Sequence, residues 1–139
     1  MILRLKLAFI LLFLPNKLMA NNIYFDEGLK LFKSEKFEEA KFKFEQNIVF
    51  NPKSEMAYLY LSKIFKNLKN RNLQEKNLNT VILLNPKNEE AIFNLGLLKI
   101  RKSNYDEAKK LIETFKKVCN NSCNQLVTLQ KKLDTILQK

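Results

Sequence analysis

The apolar positions of this chain return every 34 residues. Phe25 comes back as Leu59 and Phe93, Gly28 as Ser62 and Gly96, and Ala40 as Gln74 and Ala108. Asn51-Pro52 recurs in the same register as Asn85-Pro86. Between these marks the apolar residues fall three and four apart, the spacing of one helix face. Self-similarity at such a period is the signature of stacked helical hairpins, each burying its apolar face against its neighbours.

The pattern predicts two helices per period. Helix 1A is expected over 22–34, with Phe25, Gly28, Leu29, Leu31 and Phe32 on its apolar faces. Helix 1B is expected over 37–50, with Phe37, Ala40, Phe44, Ile48 and Val49 inward. Ser34-Glu35-Lys36 between them is so short that the two must be antiparallel neighbours. Asn51-Pro52 ends helix 1B, because a residue before proline is pushed out of the α region, and Pro52 suits the next helix entry. Helix 2A is expected over 55–68 and helix 2B over 73–84, with Leu73, Leu78, Val81 and Ile82 inward after the polar stretch 67–72. Helices 3A and 3B follow over 89–102 and 105–119, and Asn104 stands three residues before Glu107, the spacing of a capping box. A seventh helix is expected over 123–137, with Ser122 as N-cap. Leu126, Leu129, Leu133, Ile136 and Leu137 would cover the last hairpin, while Lys131, Lys132, Asp134, Gln138 and Lys139 stay wet.

With Asn21 as position 1, the register resembles the tetratricopeptide repeat family, whose pattern wants large apolar residues at positions 4, 11 and 24, and Leu at 7. It also wants small residues at 8, 20 and 27, and Pro at 32. The first repeat, 21–54, supplies Tyr24, Gly28, Leu31, Ala40, Phe44 and Pro52. The second, 55–88, supplies Tyr58, Leu61, Ser62, Phe65, Leu78 and Pro86. The third, 89–122, supplies Ile92, Leu95, Gly96, Ala108 and Ile112, and loses the proline at Asn120. The resemblance implies an all-α fold: a right-handed superhelix of three antiparallel helix hairpins plus a C-terminal capping helix. Positions 8 and 20 lie where helices A and B cross closely. Gly28 with Ala40 and Gly96 with Ala108 fit, whereas Ser62 with Gln74 departs. The middle hairpin is therefore expected to open wider, or to turn Gln74 toward solvent. Glu27 and Lys99 also stand where apolar residues are usual. Glu27 is expected to face water near the N-terminal end, and Lys99 to snorkel past the last hairpin.

The resemblance further implies a concave groove lined by helix A. The candidate groove residues are Phe25, Leu29, Phe32 and Lys33, then Leu59, Lys63 and Lys66, then Phe93, Leu97 and Arg101. An apolar stripe beside these cations suits an extended or helical segment with apolar anchors and acidic flanks. The same residues could instead pack the superhelix or touch the capping helix. Some family members clamp a peptide's terminal carboxylate with lysine at position 5 and asparagine at position 9. Phe25, Leu59 and Phe93 at position 5, with Leu29, Lys63 and Leu97 at position 9, leave that clamp absent.

The ends and the charge bound where such a module works. The opening MILRLKLAFILLFLPNKLMA has Arg4 and Lys6 before an apolar run from Leu7 to Leu14, and Ala20 before a cut. That is the layout of a secretory signal peptide, so residues 1–20 are expected to be removed, leaving one domain over 21–139. The alternative is an uncleaved inner-membrane anchor. Loss of Arg4, Lys6 and Lys17 would take the net charge from +11 to +8. The excess is densest from Lys63 to Lys76, which include Lys66, Lys69 and Arg71 against Glu75 alone. A basic exported protein meets acidic protein, anionic lipid or cell-wall surfaces, so peripheral membrane or cell-wall association is open. Nucleic acid would suit only a chain that stays in the cytosol.

Cys119 and Cys123 are the only cysteines, and an even count in an exported chain favours a disulfide across the corner before the last helix. A redox pair is a weaker reading, since the spacing is CxxxC rather than CxxC. A metal site is weaker still, because the chain has no histidine. No glycine-rich phosphate loop occurs, so no cofactor, small-molecule substrate or enzymatic activity is expected. The sequence thus points to a non-enzymatic periplasmic protein-interaction module that binds a peptide segment or partner protein in its groove. The alternatives are a structural subunit docked permanently in a membrane-associated envelope complex and, more distantly, a cytosolic RNA or nucleoprotein binder.

Overall fold

Each hairpin reverses through one residue in the left-handed region, and none of these residues is a glycine. Glu35 (φ 57°), Lys69 (φ 57°) and Ser103 (φ 58°) stand one repeat apart. The residue after each donates its N–H to the carbonyl five positions back: Lys36 to Leu31 (3.0 Å), Asn70 to Phe65 (2.8 Å) and Asn104 to Lys99 (2.9 Å). This is a Schellman closure, which satisfies carbonyls that a helix end would leave orphaned. The chain had no glycine or proline there to announce it.

The computed structural model describes residues 16–121 and 123–138, with side chains from residue 23. Its elements are α1 (Asn16–Lys33), α2 (Phe37–Phe50), α3 (Glu55–Asn67), α4 (Arg71–Leu84), α5 (Glu89–Arg101), α6 (Tyr105–Val118) and α7 (Cys123–Leu137). The fold is all-α, and among the described residues no helix is long and apolar enough to cross a membrane. Residues 1–15 of the expected signal segment, the expected N-cap Ser122 and Lys139 lie outside the described residues. Helix α1 begins earlier than expected, because 16–22 holds no proline or glycine and includes the good helix formers Lys17, Leu18, Met19 and Ala20. Helix α4 begins two residues early because the Asn70 side chain accepts the Leu73 N–H at 3.1 Å. Asn88 caps α5 in the same way, accepting the Ala91 N–H at 2.7 Å.

Internal contacts divide the chain into two compact units, one ending at Ala57 and the other starting at Tyr58. A hairpin stack has no central core to bind all its parts into one cluster. In the first unit α1 packs on α2. Phe44 is fully buried, and Phe25 meets it edge-on at 5.5 Å. A Cβ added at Gly28 would sit 2.9 Å from the Phe44 ring, so this glycine is what lets the two helices close. Glu27 does not simply face water: its carboxylate pairs with Lys43 of α2 at 2.6 Å. Helix α2 buries Ala40, Phe44 and Asn47, whereas Val49, expected inward, is 75% exposed. Two residues beyond Asn47 lies about 200° around a helix, on the opposite face, and helical phase outweighs the apolar side chain.

In the second unit the same step buries Gln74, Leu78 and Val81 on α4, and Ala108, Ile112 and Phe115 on α6. Leu73, expected inward, is exposed. Leu129 and Leu133 of α7 complete the core formed by Ile92 and Ile100 of α5 with α6. A Cβ at Gly96 would meet the Leu129 methyl at 2.7 Å, so this glycine seats α7 against α5. The corner leading to α7 is held by Glu89, whose carboxylate accepts the N–H groups of Asn120 (2.7 Å) and Asn121 (3.2 Å). Cys119 and Cys123 flank it, with Cα atoms 5.2 Å apart and sulfurs in bonding contact.

Two substitutions test this frame by chemical or thermal unfolding. Ser103→Gly should stabilise by about 0.5–1 kcal/mol, because it relieves left-handed strain, while Ser103→Val should destabilise. Gly28→Ala should destabilise by about 1 kcal/mol: overpacking against a buried ring, at about 1–3 kcal/mol, exceeds the helix-propensity gain of about 1 kcal/mol. Gly96→Ala should cost less, since the Leu129 methyl is the far end of a flexible side chain.

Candidate interaction site

The candidate groove residues separate into buried, paired and available groups. Phe25, Leu29 and Phe32 are half-buried, with Phe32 edge-on to Phe37 at 5.7 Å, and Lys33 is exposed. Leu59 is 2% exposed and packs with Leu78, Val81, Ala91, Leu95 and Leu98, which makes it a core residue with no surface for a ligand. Phe93 and Leu97 are half-buried against the α5–α6–α7 core, and Phe93 lies 6.3 Å from the Phe115 ring. Lys63 is not a free cation, because it pairs with Glu90 at 2.8 Å and lies 4.8 Å over the Tyr60 ring. Lys66 and Arg101 are exposed and take part in no ion pair among the described residues.

The helix-crossing positions are all small or buried. Ala40 and Ala108 are fully buried, and Ser62, 2% exposed, satisfies its hydroxyl by donating to the Leu59 carbonyl at 2.6 Å. Gln74 does not turn outward: it is 4% exposed. The crossing therefore accommodates a long polar side chain where an alanine was expected.

Lys99 does not snorkel. It is 8% exposed, and its Nζ bonds Glu75 at 2.5 Å and also Glu107. Lys102 bonds the other Glu75 oxygen at 2.5 Å. Removing an ammonium from water costs several kcal/mol, and two carboxylates from α4 and α6 offset it. The expected capping box is half realised: Asn104 accepts the Glu107 N–H at 3.4 Å, while the Glu107 carboxylate goes to Lys99. Hydrogen bonds from Lys102 and Lys99 hold Glu75 below the ordinary carboxylate value, and Lys99 does the same to Glu107. Burial opposes the charge on Lys99, yet the bonds to Glu107 and Glu75 outweigh it and raise its pKa.

A pocket of about 590 Å³ opens between α5 and α7. Leu97, Ile100, Val127 and Ile136 form its apolar wall, with Arg101, Lys131 and Lys132 around it. Val127 is 68% exposed. Of the sequence-derived groove residues, Leu97 and Arg101 meet here. Ile136 and Lys131 are expected from the sequence only as parts of the cap, and Val127 is not singled out there. Among the described residues no cluster of His, Cys, Asp or Glu could hold a metal ion.

Removing one partner tests the charge network. Glu75→Gln should lower stability at neutral pH by about 2 kcal/mol, since bonds to charged groups are lost. The carboxylates' contribution is present above their unfolded value of 4.5 and lost as pH falls through their lowered folded values. The contribution of Lys99 is present below 10.5 and lost as pH rises through its raised folded value. Unfolding midpoints of the two proteins should therefore converge in acid, with the original protein losing more.

No family model matches the chain, and no curated protein matches it in sequence. Solved structures do match in three dimensions. The first tetratricopeptide domain of Spaghetti (RPAP3), bound to the HSP90 peptide SRMEEVD, superposes with a TM-score of 0.78 at 20% identity, covering 87% of this chain and 95% of that one. The TPR2B domain of yeast Sti1, in its pHsp70 complex, gives 0.77 at 16% identity, over 84% of this chain and 98% of that one. The Yersinia enterocolitica type III secretion chaperone SycD, in complex with a peptide of the translocator YopD, gives 0.74 at 14% identity, over 84% and 92%. The chain has the tetratricopeptide-repeat fold.

Proposed function

We propose that this chain is a non-enzymatic interaction module that binds a segment of a partner protein on its α5–α7 face. The observation that carries the reading is the pocket of about 590 Å³, an apolar cleft beside Arg101, Lys131 and Lys132. Such a cleft takes an apolar anchor, and its cations favour acidic residues beside that anchor. Structures of the same fold hold HSP90 and YopD peptides, which supports a peptide ligand. The ligand differs in kind from a chaperone tail held by a lysine–asparagine clamp, because Phe93 and Leu97 occupy those positions in the third repeat.

The working place we propose is the periplasm, after removal of residues 1–20. Arg4, Lys6 and the apolar run that follows support export, and an oxidising compartment would let Cys119 and Cys123 bond. Such a bond would lock the angle at which α7 leaves α6, and with it one wall of the pocket.

Capture under crosslinking, with partners identified by mass, tests the binding reading. Val127→Asp puts a charge in the apolar wall at an exposed position that the fold does not need, and it should abolish capture while the helical signal persists. Unchanged capture would place the ligand elsewhere. For export, the mass of the protein recovered from cells should correspond to a chain starting at Asn21 with no thiol available to alkylation. An intact Met1 or two reactive thiols would contradict it.

A further inference from the structure

The chain carries, on α2, an apolar edge whose chemistry mirrors that of the α5–α7 pocket. Phe42 and Val49 are 57% and 75% exposed. They stand seven residues apart, about two turns, so both lie along one edge of the helix. That edge is opposite the face that buries Ala40, Phe44 and Asn47. Each apolar residue has a glutamate four positions before it, Glu38 before Phe42 and Glu45 before Val49. Residues four apart are neighbours on a helix surface, so the edge alternates acid and apolar side chain. We propose that the occupant of the α5–α7 pocket is this edge of α2 from a second copy of the chain. The inference rests on the reading of that pocket as a binding face and names what binds there.

The first support is complementary charge. Arg101, Lys131 and Lys132 line the pocket, and no acidic residue does. None of the three joins an ion pair among the described residues. On α2, Glu45 joins none either. Glu38 pairs with Lys41 of its own helix at the surface. A pair so exposed contributes little and leaves the carboxylate open to a second cation.

The second support is length. Helices rise about 1.5 Å per residue, so Phe42 to Val49 spans about 10 Å of α2 and Val127 to Ile136 about 14 Å of α7. Both apolar residues of the edge therefore fit along the one cleft. Laying anchors at i and i+7 into an apolar groove is how an exposed helix docks.

The third support is symmetry, which selects the way two copies meet. Two α2 edges placed face to face would set Glu38 and Glu45 against the same glutamates. Two clefts placed face to face would set Arg101, Lys131 and Lys132 against the same cations. Like charges brought together across a contact oppose it. Edge against cleft pairs opposite signs instead. That contact is head-to-tail, and it leaves a free cleft at one end and a free edge at the other, so it can repeat.

Sedimentation velocity of the full chain over a range of concentrations tests this, with the helical signal followed in parallel. The unaltered protein should form longer species as concentration rises, and added salt should shorten them. Phe42→Asp spoils the edge and keeps the cleft, while Val127→Asp spoils the cleft and keeps the edge. Each variant alone should be monomeric with its helical signal kept, because both positions are exposed. Mixed, the two should form a one-to-one dimer and nothing longer, since one intact cleft meets one intact edge. Glu38→Lys with Glu45→Lys should weaken self-association at least about tenfold. Association that survives Phe42→Asp or Val127→Asp overturns the inference, as do two variants that stay monomeric when mixed. A protein that is monomeric at every concentration yet captures a partner through Val127 also overturns it, and leaves the α5–α7 binding face standing. Capture and self-association that both ignore Val127→Asp would remove that face as well.

Discussion

The left-handed reversal between paired helices is the constraint on which the rest depends. Three times the chain turns through one non-glycine residue and bonds an N–H back across it. Each such residue costs about 1–2 kcal/mol of local strain, which the helix-end hydrogen bonds and the burial that follows must exceed. Once the reversal is set, the rotation of helix B about its axis is set too. Positions 40, 44 and 47 face the partner helix in one hairpin, and 74, 78 and 81 do so in the next. An apolar residue out of phase, such as Val49, is left in water.

Fixed phase explains why polar residues end up inside. Gln74 and Lys99 are buried because of where they fall in the repeat, whatever their chemistry. Their fates differ because their neighbours differ. Lys99 finds carboxylates on the helices to either side, Glu75 and Glu107, and becomes part of the packing. Gln74 finds only cations and a pocket mouth. Gln74 and Glu75 are adjacent on α4, so the carboxylate that Lys99 and Lys102 hold is not left for the cations that line the pocket beside Gln74.

Much of the fold was legible in the sequence, because the period, the proline marks and the helical spacing are repeated signals that reinforce one another. The extents of α2 and α7 follow from pattern alone. Asn70 hid the true start of α4, since a capping residue inside a polar run looks like loop. The left-handed reversal within each turn was not legible, because Glu35, Lys69 and Ser103 are not glycines. The site was legible in part. Leu97 and Arg101 line the α5–α7 pocket, but for Leu59 the sequence leaves groove and core both open, because a leucine at a groove position looks the same buried or exposed. Lys63 was counted as a free cation because its partner, Glu90, lies on another helix. Pairing across helices has no local spacing to reveal it.

The net charge of +11 says little by itself about what the chain meets. Charges more than about 8 Å apart are largely screened at physiological salt, so a partner responds to local clusters rather than to the sum. Lys41, Lys43, Lys63, Lys99, Lys102 and Lys109 are each paired with a carboxylate on the same or a neighbouring helix. Such pairs present water with little field. Lys66, Lys69, Arg71 and Arg101 differ in that four cations converge on one concavity with a helix N-terminus and no acid among them. Bringing like charges together raises the free energy of this corner. The middle repeat carries this arrangement together with the amide that breaks the small-residue rule. The departure from the small-residue rule at Gln74 and these four cations thus share one concavity.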